Sequence, residues 1–136
     1  MNKLKWWLIV VGVFYLLLTL MNFYFLFANA QYFSEFLPPP LTGNALAWRA
    51  FADAWLVFVF ELGVLGAEML YASRDVKNSK YLVWAVIGAE IFRGVVADAV
   101  WIMRGYSAAE YIPFIVIHII IVVTGVMFVR QAFAKA

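Results

Sequence analysis

Four apolar stretches separated by short polar segments organise the whole chain: residues 6–27, 47–71, 81–103 and 111–129. Each approaches the roughly 20 residues that a helix needs to cross the hydrocarbon core of a bilayer. None alternates apolar and polar positions as a barrel strand does. Stretches this long and apolar satisfy their own backbone groups only as helices. The pattern predicts an all-α fold, an integral membrane antiparallel four-helix bundle, with residues 1–136 forming a single transmembrane domain.

Composition narrows the class further. The chain is 67% hydrophobic and only 13% charged, with a mean hydropathy of +0.92. A soluble domain of 136 residues has no core large enough to hide that much apolar surface. The lipid bilayer is therefore the expected partner. A net charge of +2 is too small to signal nucleic acid, which is not expected as a partner. There is no cysteine, so disulfides, thiolate catalysis and zinc–cysteine sites are excluded.

The basic residues report orientation instead. Lys3, Lys5, Arg74, Lys77, Lys80, Arg130 and Lys135 fall on one side of the four spans, whereas Arg49 and Arg104 on the other face Glu35 and Glu110. The positive-inside rule places both termini and the loop 73–80 in the cytoplasm of a bacterial inner membrane. Trp6 and Trp7 at one end of the first span, and Tyr24, Phe27, Tyr32 and Phe33 at the other, read as interfacial belts. Ala28-Asn29-Ala30 resembles a signal-peptidase site, but the apolar run before it exceeds a signal-peptide core, and a retained helix is expected.

The 30–44 segment is the one long external connection. Residues 31–37 can lie as a short amphipathic piece in the interface, Pro38-Pro39-Pro40 stiffens the turn, and Thr42 or Asn44 is placed to cap the second helix. It reads as a connector that pins two helices rather than as a lid. Gly66-Ala67-Glu68 in the second span is echoed by Gly88-Ala89-Glu90 in the third, a match short enough to arise by chance. Gly63 with Ala67, Ala85 with Ala89, and Gly125 are candidates for close helix approach.

The informative residues are ionisable groups inside these stretches: Asp53, Glu61, Glu68, Glu90, Arg93 and Asp98, with the single histidine, His118. Charges at membrane depth are costly, rarely face lipid, and mark pairing sites, cavities or proton paths. Counting the helical rise puts Glu61 and Arg93 about 15 Å below the external boundary, with Glu90 one turn deeper on Arg93's face. An intramembrane ion-pair network of Arg93 with Glu61, and with Glu90 as alternative or additional partner, is expected, because a guanidinium offers two carboxylates a fork of donors. Asp53, Asp98, His118 and Asn22 fall in a shallower layer roughly 5–10 Å deep. They are expected to converge, with Trp101, on an outward-open ligand-binding cavity. Trp48, Trp55 and Trp101 read equally as belt anchors or cavity walls, the belt being the plainer reading. Three such residues do not make a metal motif, and one histidine does not hold haem, so no metal and no cofactor are expected.

Ala52-Asp53-Ala54-Trp55, Leu70-Tyr71-Ala72-Ser73-Arg74-Asp75, Leu82-Val83-Trp84, Arg93-Gly94, Asp98, Trp101, Arg104-Gly105-Tyr106 and Phe114-Ile115-Val116-Ile117-His118 together resemble the BphX-like family of small bacterial membrane proteins. The resemblance covers nearly the whole chain and implies a bacterial inner-membrane location. It brings no substrate and no catalytic residues. Three classes of function then follow from the residues. The leading one is binding or transport of a small lipophilic or cationic ligand. The second is an accessory subunit of a homo-oligomer or membrane complex, its charges used for assembly. The third is an acid–base enzyme acting on a lipid-soluble substrate.

Overall fold

The computed structural model is all-helical and describes residues 1–29 and 32–134. The Ala30 end of the loop, Gln31, Lys135 from the charge pattern and the side chain of Phe33 lie outside the described residues. The elements are α1 (Asn2–Phe27), α2 (Tyr32–Phe36), α3 (Ala45–Ala72), a single 3₁₀ turn (Val76–Asn78), α4 (Lys80–Ala89), a π-helical segment (Glu90–Val96), α5 (Ala97–Met103) and α6 (Ala108–Phe133). Helices α1, α3 and α6 are long and apolar enough to cross a membrane. Residues 80–103 form a fourth rod that changes helix type in its middle.

Helix ends follow their local chemistry. Asn44 caps α3, its Oδ1 accepting from the backbone N–H groups of Leu46 and Ala47 at 3.0 and 3.1 Å. Thr42 instead donates to the carbonyl of Leu37. Gly105 ends α5 with a φ of +94°, where a side chain would be strained. Its N–H donates to Ile102 and that of Tyr106 to Trp101, the paired bonds of a Schellman stop. The same turn brings the ring of Tyr106 to 6.1 Å from that of Trp101.

Helix α1 is central, with α3 along one side and α6 along another, while the 80–103 rod packs on α6. Leu4, Trp7, Leu8, Val11 and Tyr15 of α1 form the spine of the main apolar core. Trp7, expected beside Trp6 in a belt, is buried, and its indole N–H donates to Thr124 at 3.1 Å; Trp6 stays exposed. Successive helical residues point about 100° apart, so two neighbouring tryptophans cannot share one face. Gly12 and Gly66 let α1 and α3 meet backbone to backbone: a Cβ added to either would lie 2.9 Å from the other's carbonyl oxygen. Gly125 lies under Trp7 and Gly63 against Thr19, but Ala67 and Ala85 are exposed and make no such approach.

This packing decides the fate of α3's charges. Its buried residues are Ala52, Val59, Leu62, Gly66 and Met69. On a helical projection Asp53, Glu61 and Glu68 lie roughly opposite that face. All three are exposed, with no hydrogen bond or ion pair among the described residues. Two expectations are thereby corrected. Glu61 does not pair with Arg93, and Asp53 does not join the cavity, because depth along a helix says nothing about which way a side chain points. Glu68 likewise meets no lysine of the 73–80 loop among the described residues.

Candidate functional site

A cavity of about 370 Å³ lies between α1, α3, the 80–103 rod and α6. Helix α3 packs along α1, and across the cavity it meets the rod through rings: Trp55 lies 5.8 Å from Trp101, and Arg93 stacks 5.0 Å over Phe58. Phe14, Phe51, Trp55, Phe58, Trp101, Tyr111 and Phe114 make the walls. Trp101 is held by the Schellman turn and sits 5.4 Å edge-to-face from Tyr111. Trp55 is fixed by a 2.8 Å hydrogen bond from its indole to Asn22 Oδ1, while Asn22 Nδ2 donates to the carbonyl of Leu18 at 2.8 Å. Trp55 and Trp101 therefore line the cavity.

At the floor, Glu90 gathers three partners. It is 1% exposed. The hydroxyl of Tyr15 donates to Glu90 Oε1, and His118 Nδ1 donates to Glu90 Oε2 at 2.7 Å. The guanidinium of Arg93 is 3.7 Å from Oε1 and lies over the rings of Phe58 and Tyr15. On its far side His118 turns Nε2 toward Asp98, 3.8 Å from Oδ2. A tyrosine, an imidazole, a guanidinium and two carboxylates thus form one continuous chain on three helices. Burying so many charges is tolerable only because each faces a counterpart.

The π segment explains how one rod supplies most of this chain. In an α-helix, residues eight apart such as Glu90 and Asp98 drift by roughly 80° around the axis. The wider i→i+5 turns of Glu90–Val96 remove most of that drift and keep Glu90, Gly94 and Asp98 facing α6. Gly94 is the third requirement. A Cβ there would lie 2.4 Å from His118 Cγ, so the imidazole occupies the space that a side chain would fill.

Of the residues expected to share a ligand site, Asp98, His118, Trp101 and Asn22 line this cavity, and Asp53 does not. Of the expected ion-pair network, Arg93 and Glu90 meet and Glu61 stands apart. Neither Tyr15 nor Gly94 was read from the sequence as a site residue. A lone hydroxyl at midplane depth in the first span, and a small residue beside the buried arginine, were the available signals. Among the described residues no three histidine or acidic side chains are disposed to share a metal ion.

A family model described as BphX-like matches residues 1–135, and the chain belongs to the BphX-like family. No curated protein and no solved structure matches it.

Proposed function

We propose that this member of the BphX-like family is a bacterial inner-membrane protein that binds a small lipophilic ligand, for storage or transfer, in the cavity between α1, α3, α5 and α6. In this reading the four rods form an antiparallel bundle across the bilayer with both termini cytoplasmic, as the loop charges favour. The supporting observation is the cavity itself: about 370 Å³ walled by aromatic rings, with a small set of convergent polar groups at its floor. That combination of apolar walls and few oriented polar atoms is what small-molecule sites share. Neither a fully paired charge cluster nor a packed apolar core would leave such a space.

Native mass spectrometry of the protein released from its own membranes is the direct test. A bound apolar molecule is expected on the wild type. It should be lost from Ala97→Trp, which fills the cavity from α5. A wild-type spectrum without adduct, together with no uptake of any apolar probe, would refute the reading.

A second reading, acid–base chemistry on the ligand, draws on one specific observation. His118 bonds Glu90 at 2.7 Å and turns its other ring nitrogen toward Asp98 at 3.8 Å, which sets an imidazole between two carboxylates at the cavity floor. A product formed from a bound substrate, absent with His118→Gln, would favour it over binding alone.

A further inference from the structure

Two buried polar atoms at the cavity have no hydrogen-bond partner: Asp98 Oδ2, an acceptor, and Arg93 Nη1, a donor. Both residues line the same cavity, and Asp98 is 5% exposed. Buried polar atoms are nearly always paired. An unpaired acceptor and an unpaired donor on two residues that line one cavity describe the complement that would complete them.

We infer that the ligand is a lipophilic molecule carrying an uncharged head that both donates and accepts, a hydroxyl or a primary amide, donating to Asp98 Oδ2 and accepting from Arg93 Nη1. The inference rests on the ligand-binding reading above and names the class of ligand. Charged heads meet the cluster less well. An ammonium satisfies Asp98 but sets a like charge near Arg93 and leaves Nη1 open. A carboxylate satisfies Arg93 but faces Asp98, Glu90 and, at the rim, Glu110. A hydroxyl carries one donor and two lone pairs and serves both orphans. The stacked and edge-on rings of Phe51, Trp55, Phe58, Trp101 and Tyr111 suit a flat apolar body.

Four probes with one body and different heads separate the possibilities: naphthylmethanol, naphthylmethylamine, naphthoate and headless naphthalene. Their affinities are measured on the full chain in lipid nanodiscs by native mass spectrometry. The alcohol is expected to bind about tenfold more tightly than naphthalene, the equivalent of one well-made hydrogen bond to a charged group. Asp98→Asn, which keeps the size of the side chain, should erase most of that advantage and leave naphthalene binding unchanged. Tightest binding by the amine or by the carboxylate overturns the inference. So does an alcohol no tighter than naphthalene, an outcome that leaves the cavity standing as an apolar site. Failure of all four probes to bind overturns the cavity reading with it.

Discussion

The tripeptide Gly-Ala-Glu occurs twice, at 66–68 in α3 and at 88–90 where α4 enters the π segment, with opposite outcomes. In α3 the glycine is the contact, pressed against Gly12, and Glu68 is exposed. In the fourth rod a Cβ on Gly88 would meet nothing within 4 Å, while Glu90 is fully buried among Tyr15, Arg93 and His118. Residues two apart on a helix point to nearly opposite sides. One of the pair must therefore turn away from whatever the other touches. Identical residues become a packing seam in one helix and the centre of a polar cluster in the other. What separates them is helical phase against the neighbouring element, not chemistry.

The largest test of that contrast removes the two glutamates separately. Glu90→Ala strips three groups of their shared acceptor and strands Arg93, and should cost about 3–5 kcal/mol in reversible unfolding from detergent. Gly94→Ala tests the cluster from the other side. It drives a methyl group into the imidazole of His118 and should cost about 1–3 kcal/mol, with loss of ligand binding even where the fold survives. Asn22→Ala frees the indole of Trp55 and should cost about 1 kcal/mol, read as a loosened tryptophan in fluorescence anisotropy. At the small end, Glu61→Leu and Glu68→Leu should each stay within about 0.5 kcal/mol in the isolated chain. An effect of Glu61→Leu as large as that of Glu90→Ala would erase the distinction between the two helices.

A further check separates the corrected pairing from the observed one. Arg93→Leu alone leaves the buried Glu90 without its guanidinium, and combining it with Glu61→Leu should change stability no further. Rescue by the double change would restore the Arg93–Glu61 pair that the geometry denies.

Much of this architecture was legible in the chain because length and hydropathy act over some 20 residues at a time. The extents of α1, α3 and α6 differ from the apolar stretches mainly at their ends, where polar residues such as Asn2 and Lys3 continue the helix. Depth was legible only in part: the rise per residue set Glu90 in a deeper layer than His118, which lies 2.7 Å from it. It brought Asp98, His118, Trp101 and Asn22 into consideration together. Phase was not legible. Asp53 and Glu61 stand at reasonable depths and point away, because α3 packs along α1 and leaves its opposite face uncovered by the chain. The π segment left no local signature either. Glu90-Ile91-Phe92-Arg93-Gly94-Val95-Val96 is as compatible with an α-helix, and only the contacts to His118 and Tyr15 show what the wider turns achieve.

The π turns carry a consequence for how this site can be lost. The meeting of Glu90 and Asp98 at one imidazole depends on a count of residues as much as on their kinds. Inserting a single residue, an alanine after Val95, would leave every member of the cluster in the chain and a continuous helix around them. The rod beyond the insertion would nonetheless be turned by about 100°, and Asp98 and Trp101 would leave the cavity together. Chains of this family that carry one more residue between these positions can share every functional side chain and not share the site.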